Sequence, residues 1–410
     1  VLLVRLLDET AAFLPAGTLE AFRADLGLTY TQAGTVLAAV APGALLGGVC
    51  AAAADRRSRR VIAAGGAFAF AAALAAFALG GSLPVLVVAA FVMGVASTAM
   101  VEAAEVALVE MAGDDLRRYL ARSNLLGTIG DLAGPALIGA VALAGFSWRA
   151  VFALGAVLLA AYGALLAAAP LRPPGGGADG AEPPSTVGTV LAVVRDPAVW
   201  VLGLVLALML PFDEPLFGFM IALLEQERGA SASVAMLVAL VGVCGGLLSY
   251  TVLARRFEGV DDRRLLVGSV LAMGAAAVVI AVVPVLAVAA LGAFVASVGL
   301  SLAWLAVQHR TLTLRPGQVG TTNAVVGTIE SAGFWIPVAI GALADRAGLV
   351  AAVAAFGLLG LVLAALARLQ VMGMRRGRSE AGLGTRTVST PSSMDATTPS
   401  SSTSPGSTTS

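Results

Sequence analysis

Long apolar runs, separated by short clusters of Gly, Pro and Arg, fill the chain from its start to about residue 370. Each run is close to the roughly 20 residues that a helix needs to cross a hydrocarbon core of about 30 Å. The runs are apolar on every side and too long for strands, and backbone surrounded by lipid has to be helical. Twelve spans are predicted: 1–20, 33–53, 61–80, 84–111, 119–143 and 149–169, then 198–224, 232–254, 264–282, 285–309, 318–343 and 348–369. The segment RPPGGGADGAEPPSTVG interrupts the series in the middle and reads as a flexible linker. Beyond residue 378 a Ser/Thr-rich stretch has too few apolar residues to bury a core. The expected architecture is therefore an all-α membrane protein with a six-helix bundle over 1–171, a central linker over 172–197, a second six-helix bundle over 198–371 and a disordered tail over 372–410.

The polar interruptions inside the spans repeat. Asp8 and Glu9 in LLDETAAFLPAGTLEAFR match Asp213 and Glu214 in PFDEPLFGFMIALLEQER, 205 residues later, and Glu20 and Arg23 match Glu225 and Arg228. Gly127-Thr128-Ile129 returns as Gly327-Thr328-Ile329 at an offset of 200. The two bundles thus read as pseudo-symmetric copies, and inverted or parallel repeats with ionisable groups near mid-membrane are a transporter pattern. Sixteen residues separate Asp196 from Asp213 but only seven precede Asp8, and the chain begins with Val. A few N-terminal residues are expected to be missing, or a non-ATG start to have been translated literally.

Composition supports the membrane reading: 59% of residues are hydrophobic, 12% are charged, and the mean hydropathy is +0.93. Net charge is zero, so no global field points to nucleic acid. Twenty of the 25 arginines fall in the connections on one side, or on the tail, if the N-terminus is cytoplasmic; only Arg23, Arg149, Arg228 and Arg346 fall on the other. This asymmetry predicts that both termini are cytoplasmic, in a multi-pass protein of the cytoplasmic membrane. Cys50 and Cys244 lie in apolar segments and read as packing residues, with no Cys/His pattern for a metal. No cofactor is expected, and no cleavable signal peptide, because Asp8 and Glu9 sit in the first apolar run.

Two motifs carry a resemblance. The loop AAAADRRSRR, residues 51–60, resembles the signature loop of the major facilitator superfamily, Gly-x-x-x-Asp-Arg-x-Gly-Arg-Arg, with Ala51 and Ser58 in place of the glycines and Asp55, Arg56, Arg59 and Arg60 at the charged positions. In that family the loop is a cytoplasmic latch governing conformational switching, which the resemblance assigns to these four residues. Span five reads GDLAGPALIG and is similar to the family's antiporter motif, with Gly130, Gly134, Pro135 and Gly139 in register and Ile138 replacing one glycine. Gly130 and Gly134 share a helix face and permit close packing, while Pro135 permits a bend. The resemblance implies the twelve-helix major facilitator fold and alternating access. One departure is that Ala90 and Met93 stand where proton-coupled drug antiporters carry Arg and Gln in span four.

The candidate proton- or substrate-binding residues are Asp8, Glu9, Asp213, Glu214, Asp131, Glu330, Glu102 and Glu105. Carboxylates kept in hydrocarbon are costly and mark function by default. Desolvation favours the neutral acid, so such a group can take up and release a proton near neutral pH. Competing readings remain. Arg5 lies three and four residues before the first pair and could neutralise it, whereas Leu210 occupies the matching place before the second. Glu102 and Glu105 could be neutralised by Arg117 and Arg118. Neighbouring helical residues point about 100° apart, so one of each Asp-Glu pair is expected to face the cavity and the other a neighbouring helix. His309, Trp200, Trp304 and Trp335 read as structural.

The sequence therefore predicts a secondary transporter, not an enzyme: a proton-coupled exporter of a small organic solute, acting as a monomer, with the solute, protons and the lipid bilayer as its partners and no nucleic acid. An uptake symporter or uniporter is the alternative. An intramembrane enzyme using the buried acids is a third reading, against which stand the lack of a nucleophile motif and of a metal cluster.

Overall fold

The computed structural model describes residues 2–53, 59–112, 116–169, 187–253, 256, 260–315 and 318–383. Asp55, Arg56, most of the linker and the tail beyond 383 lie outside the described residues. The described residues up to Gln370 form one compact unit, and those beyond it belong to a second.

All regular structure among the described residues is helical. Span one is α1 (Leu3–Gly17) and α2 (Leu19–Asp25); span two is α3 (Tyr30–Ala38) and α4 (Val40–Ala53). Spans three to six are α5 (Arg59–Leu79), α6 (Leu83–Ala112), α7 (Leu116–Leu143) and α8 (Trp148–Ala168). A short helix, α9 (Val187–Val194), precedes span seven, which is α10 (Pro197–Met209), a 3₁₀ turn over Leu210–Phe212, and α11 (Glu214–Gln226). Span eight is α12 (Ala232–Leu248), ending in a wider π turn over Ser249–Leu253. Spans nine and ten are α13 (Asp262–Val282) and α14 (Leu286–Leu314). Span eleven comprises α15 (Val319–Glu330), a 3₁₀ stretch over Ser331–Trp335 and the start of α16 (Ile336–Leu383), which also carries span twelve after a break at Gly348.

Nine helical stretches among the described residues are long and apolar enough to cross a membrane. They hold ten of the twelve spans, because spans eleven and twelve run together; the separate helices of spans one and two are each too short to be among them. Prolines account for the breaks. Pro15, Pro42, Pro211, Pro215 and Pro337 each lack the N–H that an uninterrupted helix would use, and they lie beside the interruptions in spans one, two, seven and eleven. The linker expectation needs correction at its end: VLAVV is apolar enough to form α9, which buries Val193 and packs on α10 and α15.

The two halves follow the same packing plan. Span one packs on span five and span seven on span eleven; span two packs on span four and span eight on span ten. Spans three, four and six group together, as do nine and ten, with Gly274 of span nine against Gly360 of span twelve. Phe77 stacks on Phe152 at 4.3 Å with Phe22 and Trp148 edge-on in the first half, and Phe212 meets Phe356 in the second. Such packing in lipid relies on shape and small residues, not on water exclusion. Between the halves, span five meets span eight, span one meets span seven, and span two meets span eleven.

An even number of passes puts the start of α1 and the end of the compact unit at one end of the bundle, here the terminal end; the other is the far end. Several glycines mark close backbone approaches between the halves toward the far end. Gly34 faces the Pro337 carbonyl, Gly341 faces the Tyr30 carbonyl, and a Cβ on Gly218 would lie 3.0 Å from the Ala16 carbonyl. Midway along span eleven Gly327 faces the open space of a cavity. The halves are therefore in close contact at the far end and leave a cavity below it.

Candidate functional site

A cavity with two chambers lies where the broken spans cross. The larger chamber, about 570 Å³, is mostly apolar and lined by residues such as Pro15, Leu37, Leu45, Phe334 and Pro337, with Glu102 on its wall. The smaller, about 300 Å³, collects Glu9, Asp131, Asp213, Glu214 and Glu330, together with Thr128, Ser297, Ser301 and Trp304. Leu210, Glu214 and Glu330 line both chambers and join them. Four helices, spans one, five, seven and eleven, thus bring five carboxyl groups from distant parts of the sequence to one chamber.

The Asp-Glu pairs differ from the expectation of one inward and one outward residue. Span one obeys it: Glu9 lines the smaller chamber, while Asp8 is buried against span four and accepts a 2.6 Å hydrogen bond from the Ser97 hydroxyl. Span seven does not, because Asp213 and Glu214 both line that chamber. They are not consecutive residues of a regular helix. Asp213 has φ −82° and ψ −128°, so the backbone turns there and resets the direction of the two side chains. Pro211 and Pro215, which flank the pair, impose the break.

Charge pairing also divides the halves. The Arg5 guanidinium donates from Nε to Glu105 Oε1 at 2.7 Å, places Nη2 2.5 Å from the same oxygen, and reaches Glu9 Oε1 at 3.4 Å. Glu105 finds a partner in Arg5, while Glu102 lines the cavity wall; the side chains of Arg117 and Arg118 lie outside the described residues. Asp131, Asp213, Glu214 and Glu330 have no ion pair among the described residues. The chamber therefore has an acidic lining, four of its five carboxyl groups standing without an ion pair among the described residues.

Three glycines of the span-five motif sit at helix contacts. A Cβ on Gly130 would lie 2.6 Å from the Leu6 carbonyl, and one on Gly134 2.9 Å from Phe13 Cβ, so both glycines admit span one. Gly139 faces Met236 of span eight, and Pro135 lies within α7. The Thr10 hydroxyl donates to Leu6 and reaches the Gly130 carbonyl at 3.3 Å. Of the latch residues, Arg59 and Arg60 open α5, whereas Asp55 and Arg56 fall outside the described residues. Trp304, expected to be structural, lines the acidic chamber; its spacing from the acids gave no signal in the sequence. His309 Nδ1 lies 2.8 Å from Asp262 Oδ2, away from the cavity.

At the far end a second polar group caps the closure. Arg23 donates to both oxygens of buried Glu20 at 2.9 and 2.7 Å, the Tyr30 hydroxyl donates to Glu20 at 3.0 Å, and Arg23 lies 4.4 Å from the centre of the Tyr30 ring. Arg149 bonds Asp25 and the carbonyls of Ala78 and Gly80, and Arg228 bonds the carbonyls of Ile280 and Ala281. These arginines satisfy carbonyls where helices end.

A family model described as Major Facilitator Superfamily matches residues 1–336. No curated protein matches the chain. Among solved structures, a bacterial homologue of the human lysosomal transporter Spinster, in an inward-facing and unoccupied conformation, superposes with a TM-score of 0.74 at 16% identity, covering 90% of this chain and 95% of that one. The nucleoside transporter NupG gives 0.73 at 13% identity, covering 90% and 98%. The xylose transporter XylE from E. coli, in an inward open conformation, gives 0.68 at 14% identity, covering 89% and 93%.

Proposed function

The chain belongs to the Major Facilitator Superfamily and is a multi-pass membrane transporter, not an enzyme; from that premise we propose that it exports a small neutral or cationic organic solute in exchange for protons. One observation carries the reading: Glu9, Asp131, Asp213, Glu214 and Glu330 converge on a chamber joined to an apolar one. The apolar chamber accommodates the body of a solute, and the acidic chamber holds either protons or the electropositive part of the guest. Protons and solute then compete for the same carboxyls, which is the simplest physical basis for exchange. The span-five motif supports antiport, because Gly130 and Gly134 let span one, which carries Glu9, move against span five without intervening side chains.

In the cycle, solute enters while the cavity opens toward the terminal end. Closure there and opening at the far end expose the acids to the other side, where protons replace the solute. The arginine asymmetry supports a cytoplasmic terminal end for bundles over 1–171 and 198–371, and on that orientation the conformation with a closed far end is inward-facing. Each chain holds a whole cavity, and a monomer suffices. Reporter fusions at residue 180 and after the last residue should both report cytoplasm; a periplasmic or external signal from either overturns the orientation.

Proteoliposomes enclosing a pH-sensitive dye test the exchange. A panel of neutral and cationic organic solutes should include members whose movement drives protons the opposite way, saturably and only with protein present. Protons moving with the solute would make the protein a symporter, and solute flux without protons a uniporter.

A further inference from the structure

Asp345 lies in the connection between spans eleven and twelve, three residues before the backbone reverses at Gly348 with φ +86°. It belongs to the second half, yet its partners are all in the first. The N–H of Tyr30 donates to Oδ1 at 2.8 Å; the N–H and hydroxyl of Thr31 donate to Oδ2 at 2.9 and 2.6 Å. Tyr30 and Thr31 are the first two residues of α3.

The first four N–H groups of any α-helix lack partners within it. In α3 the third, from Gln32, goes to the Thr29 hydroxyl at 3.2 Å, and Gln32 Oε1 in turn accepts from the Thr29 N–H at 2.9 Å. That Thr29 N–H, from the N-cap residue, is the fourth, and the Ala33 N–H begins the regular ladder by donating to the Thr29 carbonyl. Those bonds are made within the first half and survive any rigid-body motion between halves. The first and second N–H groups depend on Asp345 across the boundary. The helix is thus capped twice: once by a permanent device of its own half and once by a carboxylate that must leave if the far end opens. The negative charge also sits at the positive end of the helix dipole. Close packing holds the two partners in place, because Gly34 meets the Pro337 carbonyl and Gly341 the Tyr30 carbonyl.

We propose that Asp345 is the bolt of the far-end gate: its cap on α3 stabilises the state closed at that end and is absent from the state open there, so it sets the balance between the two access states. A contact made in one state only is what biases such an equilibrium. Other charged groups nearby do not share this property. Glu20 and Arg23 pair within span one, Tyr30 donates its hydroxyl to Glu20, and Asp25 pairs with Arg149, all inside the first half. The bolt requires alternating access but no proton coupling, so it stands or falls separately from the exporter reading.

The test uses the full chain in lipid nanodiscs at one pH without solute. Cys50 and Cys244 are replaced by Ala, and spin labels are attached through Ser82→Cys and Pro284→Cys, exposed far-end positions in opposite halves. Pulsed dipolar spectroscopy then reads the distance distribution. Asp345→Asn should raise the long-distance, far-end-open population at least threefold. Thr31→Val, which removes only the hydroxyl bond to Oδ2, should shift it the same way by less. Asp25→Asn should leave it unchanged. Distributions for Asp345→Asn and Thr31→Val that match the parent overturn the proposal, as does an equal shift for Asp25→Asn. Should Asp345→Asn fail to fold, Thr31→Val decides alone.

Discussion

Spans one and seven carry the same acidic pair 205 residues apart, yet the fold treats them differently. In span one the helix is regular at the pair, Asp8 turns to Ser97, and Glu9 shares Arg5 with Glu105. In span seven the helix breaks between two prolines, both acids open into the cavity, and Leu210 stands where Arg5 would be. A repeat that preserves residue types has not preserved their surroundings. Span one is built as a held element and span seven as an unpaired, irregular one, and irregular backbone at membrane depth is tolerated where it lines a cavity. The chemistry of coupling should therefore be concentrated in span seven.

The largest expected effect follows from that asymmetry. Asp213→Asn and Glu214→Gln should each lower transport driven by a pH gradient at least tenfold, while solute exchange without a gradient survives, because exchange needs reorientation but no net proton release. Glu9→Gln should reduce coupling less, and Asp8→Asn least, since an asparagine can still accept the Ser97 hydroxyl. Gradient-driven uptake and counterflow in the same proteoliposomes separate the two quantities. Equal losses at all four positions would mean that the repeat, and not the local break, decides the role.

Next in size is Arg5→Gln. It leaves Glu105 and Glu9 without their cation, and losing hydrogen bonds to charged groups costs about 1–3 kcal/mol. The thermal midpoint in detergent should fall, whereas Asp213→Asn, which removes an unpaired acid, should hold or raise it. A midpoint unchanged by Arg5→Gln would show that span one is no more firmly held than span seven.

How much of this was legible beforehand varies with the range of the interaction. Span number, the two halves and the central acids came from periodicity and spacing, which act along the chain. The Arg5–Glu9 spacing was visible, but the pairing of Arg5 with Glu105, 100 residues away, was not. The break at Asp213 was in principle readable from Pro211 and Pro215, yet a proline within an apolar run fixes neither where the backbone turns nor which way the side chains then point. Trp304 and Asp345 carry no local signature at all. Their roles arise from contacts between elements far apart in sequence, and Asp345 reads as an ordinary loop acid until α3 is brought against it.

The comparison extends to the far end. Glu20 is buried and accepts from Arg23 and Tyr30, while in the matching place Arg228 has turned to the carbonyls of Ile280 and Ala281, leaving Glu225 with no ion pair among the described residues. Glu20→Gln should cost about 1–3 kcal/mol of stability. Glu225→Gln should change it by no more than about 0.5 kcal/mol. Thermal midpoints of the two variants measured side by side check the sign and the order; a larger loss for Glu225→Gln would reverse the assignment of the held half.

The smallest effect concerns glycines at the span-five and span-eleven repeat. Gly127 approaches Arg5 and Glu9 at ordinary contact distance, whereas its counterpart Gly327 faces open space within the cavity. Gly327→Ala adds a methyl group that touches nothing and removes freedom from the unfolded chain, so it should leave stability unchanged or raise it by about 0.4–1 kcal/mol. Gly130→Ala is the contrasting control, since its methyl would meet the Leu6 carbonyl at 2.6 Å and force span one away from span five. Overpacking of that kind costs about 1–3 kcal/mol. The transport assay adds a second axis. Moving span one displaces Glu9, so Gly130→Ala should slow gradient-driven exchange, while Gly327→Ala should leave it within about twofold. If Gly327→Ala instead proves the more damaging, span eleven must close onto the cavity at that position during the cycle, and the open space beside Gly327 would be where the second half moves.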